Sequence, residues 1–233
     1  MPAMRCYTNW NKRPSDMGQQ IEPFRKYFFI CEGENTEVWY FRRIIDRRKE
    51  LGIHPLIDIR LMEKTEEDET LSNPKRLFEF ARRERRALAS EYDDKHDCMV
   101  IVFDVDIYAK KPNEYKKILE LGKEFILAVT NPSFELFLLL HFENSYEKNI
   151  APKEKELLEN AKISNKRRFA DKYFAEISGM NPKENPKIAE LVDCLDIAIE
   201  QEKKLNQDIR YAVGNLTSNI GAIIQRIRND RIE

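Results

Sequence analysis

The chain has 233 residues, 42% of them hydrophobic, enough for one sizeable core and a smaller appendage. Its 40 basic and 41 acidic residues give a formal charge of −1, which excludes a globally positive nucleic-acid binder and makes any phosphate contact a local affair. The longest apolar stretch, around Leu136 to Phe142, falls far short of the roughly 20 residues that span a bilayer, and no charged-then-apolar leader pattern opens the chain. The four cysteines, Cys6, Cys31, Cys98 and Cys194, form no CxxC pair, so a cytoplasmic protein with reduced thiols and no membrane association is expected.

In chain order, residues 1–25 mix Asn, Gln, Arg, Pro and Gly without periodicity and read as a flexible N-terminal arm. From residue 26, apolar runs alternate with amphipathic ones. Tyr27 to Cys31 is strand-like, and Thr36 to Leu51 has helical spacing through Val38, Phe41, Ile44 and Ile45. Pro55 to Met62 reads as a second strand and Asn73 to Glu91 as a long helix. Cys98 to Phe103 is apolar at every position, as suits a central parallel strand covered on both faces. A short helix from Lys111 to Gly122, a fourth strand from Phe125 to Val129 and a helix from Ser133 to Phe142, with Pro132 at its first turn, complete the pattern. This alternation predicts an α/β domain over 26–145 with a largely parallel sheet flanked by helices. Residues 146–233 show helical patterns broken at Asn181-Pro182 and Asn185-Pro186, with no convincing strand, and predict a helical C-terminal subdomain.

Ligands of open α/β sheets bind outside the carboxyl ends of the strands, and here two such ends are acidic. The first strand runs into Glu32-Gly33 and the third into Asp104-Val105-Asp106. Strand alternation would direct both aspartates to one face. Two carboxylates ~4 Å apart at an effective dielectric of ~20 repel by ~4 kcal/mol, which favours a shared proton or a bound cation. With a third carboxylate and neither histidine nor cysteine, the donor set suits Mg²⁺ or Mn²⁺. A further motif, Asn131-Pro132-Ser133-Phe134-Glu135, places Ser133 and Glu135 at a helix start, where two readings stand: ordinary capping, or part of the acidic site.

The segments CEGENTEVWYF at 31–41, VFDVDIY at 102–108 and NPSFELFLLLHF at 131–142 resemble the RloB-like family, Toprim-fold proteins of bacterial phage-defence and abortive-infection loci. The first two also follow the wider Toprim pattern, and Ser133-x-Glu135 resembles the SxE motif of OLD-type nucleases. The resemblance implies a Toprim-like sheet in which Glu32, Asp104 and Asp106 are catalytic and metal-binding. Glu37, at a spacing one residue longer than in OLD-type enzymes, would join Ser133 and Glu135 at a second metal position. It implies a metal-dependent endonuclease with one or two Mg²⁺ or Mn²⁺ ions, acting on DNA or transfer RNA as a defence effector. The chain has only seven glycines and no GxxxxGK[ST] loop, so a separately encoded ATPase is the implied partner; self-association into a homo-oligomer stays open. A non-catalytic Toprim-like subunit that binds nucleic acid or serves as a sensor is the alternative. An aspartyl-nucleophile phosphatase would carry its DxD after the first strand, not the third.

Basic clusters at Arg42-Arg43, Arg47-Arg48-Lys49 and Arg82-Arg83-Glu84-Arg85-Arg86 are interleaved with acids and read as solvated helix faces. Lys166-Arg167-Arg168 is the candidate nucleic-acid contact, and Lys166 or Lys172 could supply the lysine that OLD-type enzymes place near the site. His141 and the aromatics Trp39, Tyr40, Phe41, Phe134 and Phe137 read as core. Asn215 to Asn219 reads either as the cap of a last helix or as the border of a substrate groove.

Overall fold

A computed structural model of the chain describes residues 24–62, 64, 73–164 and 167–230, together with the backbone of a two-residue strand at Cys6–Tyr7. Four parallel strands form the centre of a six-stranded sheet: β2 (Arg25–Cys31), β3 (Ile57–Met62), β4 (Cys98–Asp104) and β5 (Ile126–Asn131). Two short strands, β1 (Cys6–Tyr7) and β6 (Thr217–Ser218), close its edges antiparallel, giving the order β1-β3-β2-β4-β5-β6. The β1 strand lies in the segment read as an arm; the rest of 1–23 falls outside the described residues.

Right-handed crossovers between parallel strands need helices, and α1 (Thr36–Asp46), α2 (Pro74–Ala87) and α3 (Pro112–Leu121) supply them. Alternation along each strand divides the core in two. On β2, Tyr27, Phe29 and Cys31 face α1, while Phe28 and Ile30 face α2 and α3; Val100 and Val102 of β4 go with the first set, Met99, Ile101 and Phe103 with the second. This double burial is why β4 is apolar throughout.

The segment after residue 145 completes the α1 side. Alongside α4 (Phe134–Leu139) and α5 (Glu154–Glu159), the helices α6 (Phe169–Ser178), α7 (Leu195–Glu202) and α8 (Ile220–Arg228) place Leu157, Phe174, Ala198, Ile224 and Ile227 in the same core as the sheet. A 3-10 segment, Pro186–Cys194, packs along α1. The expected α/β architecture with a helical C-terminal portion is therefore present, with two differences. The C-terminal portion returns one strand, β6, to the sheet edge. The last helix of the α/β unit is also shorter than Ser133 to Phe142: it starts at Phe134, after a cis Asn131-Pro132 peptide, and ends at Leu139. Every residue from Phe134 to Leu140 is buried, so the stretch carries no polar phase from which its length could be read. Among the described residues, no helix is long and apolar enough to cross a membrane.

Candidate active site

The carboxyl ends of three neighbouring strands, β2, β4 and β5, open into a cleft of about 420 Å³. Glu32 continues β2 by one residue, its backbone N–H donating to Val102 O at 2.9 Å. Its side chain turns toward β4, where Oε2 accepts the backbone N–H of Asp104 at 3.1 Å. Asp104, the last residue of β4, pairs in register with Thr130, whose hydroxyl donates to Asp104 Oδ1.

Asp106 reaches the same cleft by a different route from the one strand alternation implies. The strand ends at Asp104, Val105 is fully buried, and a 3-10 turn over Asp106–Tyr108 presents the second aspartate. Gly33 leaves the space that the Glu37 carboxylate occupies as it folds back from α1 onto this loop: a Cβ there would lie 2.0 Å from Glu37 Oε2, and the Glu37 side chain would have to move.

Ser133 occupies the N-cap position of α4 but makes no side-chain cap; its hydroxyl donates to Glu135 Oε2 at 2.6 Å. That contact resolves the two readings of the motif in favour of a residue pair facing the cleft. The Glu37 and Glu135 side chains are almost enclosed, at 9% and 6% exposure. Five of the sequence-flagged acids, Glu32, Glu37, Asp104, Asp106 and Glu135, thus line one cavity together with Ser133.

Crowded carboxylates in a recess resist ionisation. Burial pushes Glu32 up to about 8, with the Glu37 and Asp106 charges adding to it and the Asp104 N–H and Lys64 opposing. Burial and the Asp171 charge bring Glu135 to about 7 against the Ser133 hydrogen bond. Asp104 is raised well above the usual carboxylate range by burial and by Glu37, Glu32 and Glu135; Asp106 is raised by burial, with Arg168 pulling the other way.

The folded protein therefore binds more protons than the unfolded chain between the ordinary carboxylate range and about pH 8, and its stability falls as pH rises through that window. His141 acts oppositely: burial lowers it to about 4, so it adds stability as pH rises toward 6.5. We expect melting temperature in chelator to fall between pH 6.5 and 8, where the carboxylates outweigh the fading pH dependence of His141. A flat or rising profile across this interval in thermal melts would contradict the crowded, protonated cluster.

The wall opposite the strand ends comes from Asn160, Arg168, Asp171 and Lys183 of the C-terminal portion, of which only Arg168 was singled out by the sequence. The Asp171 carboxylate accepts the Arg168 backbone N–H at 2.8 Å and pairs with Lys183 Nζ at 3.0 Å. Burial works against the Lys183 charge, but Asp171, Glu135 and Glu37 raise its pKa overall. The Lys183 loop is pinned to the start of α1: the Thr36 hydroxyl donates to Pro182 O at 2.6 Å and Asn35 Nδ2 to Lys183 O at 3.1 Å. Lys64, beyond the end of β3, also lines the cleft and donates to Glu32 O.

Of the expected basic contacts, only Arg168 is in place. Arg167 is exposed and not a lining residue, Lys172 pairs with Glu176 on the surface of α6, and Lys166 lies outside the described residues. Asn215 to Asn219 does not line this cleft, and Asn219, at the N-cap position of α8, makes no side-chain cap. Asn219 accepts from Val129 N at 2.7 Å and donates to Leu127 O at 2.8 Å, fastening the edge of β5. His141 is packed between Tyr40 and the α4 backbone, as expected of a core residue.

Seven carboxylates and three cations line the cleft, an excess of four negative charges. Such a surface repels a phosphodiester unless cations are present. Among the described residues, no three histidine, cysteine, aspartate or glutamate side chains are gathered closely enough to hold an ion by themselves. The donors are all oxygens around a roomy cavity. This fits an ion such as Mg²⁺, which keeps several waters and takes one or two carboxylates plus substrate phosphate, and does not fit a closed zinc-type cage.

A family model described as RloB-like protein matches residues 27–227, a span that takes in β3 to β6, nearly all of β2, every cleft residue and all but the last residue of the C-terminal helices. No curated protein and no solved structure matches the chain.

Proposed function

The chain belongs to the RloB-like family, and from that premise we propose that it is a Toprim-type, metal-dependent nuclease serving as an effector of anti-phage defence. The observation that carries the reading is the convergence of Glu32, Asp104, Asp106 and Glu135 at the carboxyl ends of three adjacent parallel strands. Glu32, Asp104 and Asp106 would serve one Mg²⁺ or Mn²⁺, one or two of them directly and the rest through its waters, with Glu37 and Glu135 extending the site to a second position. When bound, such ions supply Lewis acidity to a phosphodiester and stabilise charge developing on its oxygens.

The remaining roles fall to the chain itself. Glu32, whose Oε2 accepts the Asp104 N–H at 3.1 Å, is placed either to take a cation or to accept a proton beside it. Ser133 fixes the Glu135 carboxylate through its 2.6 Å hydrogen bond. Lys183, facing Glu135 and Glu37, would join the site as a lysine that can balance charge on a substrate oxygen, a place the surface pair of Lys172 with Glu176 does not offer. The substrate class is nucleic acid, DNA or transfer RNA, and a separately encoded ATPase is the proposed partner.

The experiment is incubation of the purified protein with DNA and with total RNA, in Mn²⁺, Mg²⁺ or chelator, each with and without the neighbouring ATPase. Cleavage dependent on divalent cation is expected in at least one arm. A second reading, a non-catalytic nucleic-acid-binding or sensor subunit, draws on one observation: Asp106 and Asp171 are already neutralised by Arg168 and Lys183. Binding of nucleic acid without cleavage in every arm would select it.

A further inference from the structure

The wall contributed by the C-terminal portion contains one polar group that the fold leaves unused. Asn160 is 2% exposed, lines the cleft, and adopts a left-handed backbone at φ 42°. Its Oδ1 accepts the Ala170 N–H at 3.0 Å, but its Nδ2 has no hydrogen-bond partner. Leaving a buried donor unpaired is costly, so the arrangement makes sense where an acceptor arrives from outside. Beside it stands Arg168, whose Nη1 donates to Asn160 O at 3.4 Å and whose Nε lies 3.3 Å from Asp106 Oδ2. The Asp106 side chain is 17% exposed and that of Arg168 48%, so the guanidinium reaches the carboxylate from the solvent side and is free to leave it.

We propose that Arg168 is an exchangeable phosphate clamp: it neutralises Asp106 while no divalent cation is there, and moves to a backbone phosphate of the nucleic-acid strand once a cation takes Asp106, with Asn160 Nδ2 as the fixed donor of the same subsite. The inference rests on the nuclease reading and names the group that recognises the strand. It follows from charge. Asp106 cannot serve Arg168 and a cation at full strength together, and a guanidinium displaced beside a carboxylate-rich cleft gains most from a phosphate, which its planar fork fits. The Asp171 carboxylate holds the Arg168 backbone at 2.8 Å, so only the side chain need move.

The test uses the full chain and reads binding, not turnover. Calorimetric titration with Mn²⁺ alone should show Arg168→Ala binding up to about five-fold tighter than wild type, because a competitor for Asp106 is gone. Anisotropy of a labelled oligonucleotide in Ca²⁺ should show the same variant binding about ten-fold weaker, with Arg168→Lys in between. Asn160→Asp keeps the acceptor for Ala170 and tolerates the left-handed backbone, yet should also weaken the oligonucleotide. Inorganic phosphate should not displace the strand, and displacement would reassign the subsite to a free anion and overturn the strand assignment. Unchanged Mn²⁺ and oligonucleotide affinities in folded Arg168→Ala, with wild type binding both, would refute the clamp and leave the nuclease reading standing. Absence of Mn²⁺ binding by wild type would sink both.

Discussion

Asp104→Asn is expected to raise the melting temperature of the metal-free protein while removing metal binding and cleavage. Asp104 ends the central strand β4 and lies among Glu37, Glu32 and Glu135, whose charges, after burial itself, hold its carboxyl well above the usual range. The amide is isosteric and still accepts the Thr130 hydroxyl, and it replaces a carboxyl that the fold must keep protonated against its normal tendency to ionise. Each pKa unit so removed is worth about 1.4 kcal/mol, which corresponds to about 2–4 °C or more in a chain of this length. Cleavage should fall by about 10³-fold or more, as for loss of a group that holds the charge-stabilising ion. Stability and activity would then move in opposite directions, as expected where a site stores repulsion for a ligand to relieve. Melts in chelator and a Mn²⁺ titration on the same sample read both. A lower melting temperature with metal affinity intact would refute this view of Asp104.

Glu202→Ala should produce the largest loss of stability, about 3 kcal/mol or more. Glu202 is fully buried at the end of α7, where Oε1 accepts the Ser218 hydroxyl at 2.5 Å and the Gly221 N–H at 2.9 Å. Oε2 accepts the Ala222 N–H at 2.8 Å and Gln207 Nε2 at 3.2 Å. These backbone groups belong to the first turn of α8, whose N–H donors have no intrahelical partner. A Cβ on Gly221 would come 2.8 Å from Glu202 Oε2, so the glycine makes the room this bond needs. Alanine would strand several donors in the core. The damage should reach the active site, because β6 pairs with Thr130 and Asn131, and Asn131 Nδ2 is bonded to Ala212 O and Asn215 O just before the Ser133-Glu135 wall. Denaturant unfolding that shifts by less than about 1 kcal/mol would show that this carboxylate is not the fastener of α8.

Residues at strand ends were readable because position along a parallel strand fixes proximity to the cleft. Glu32 and Asp104 follow from that rule directly. Asp106 was placed correctly for an inaccurate reason, since a 3-10 turn and not strand alternation presents it. Lys64 obeys the same strand-end rule, two residues beyond Met62 at the end of β3. Asn160, Asp171 and Lys183 are different. They reach the cleft through tertiary packing of the C-terminal helices on α1 and α4, and no local pattern reports such a contact. The one available signal was the Asn181-Pro182-Lys183 helix break, a polar turn that turned out to be fastened to Thr36 and Asn35. Strand β6 escaped detection because two residues carry no period-2 signature. The partners of buried Glu202 lie on β6 and α8, and no local pattern reports such a contact.

The central claim is that the strand-end carboxylates form a hydrolytic metal site. Its most direct test is cation-dependent cleavage of nucleic acid by the wild-type chain beside Glu32→Gln, Asp104→Asn and Asp106→Asn, all confirmed folded by their melts. The account predicts metal-dependent cleavage by the wild type and its elimination in each variant. Cleavage at the wild-type rate by all three would contradict it.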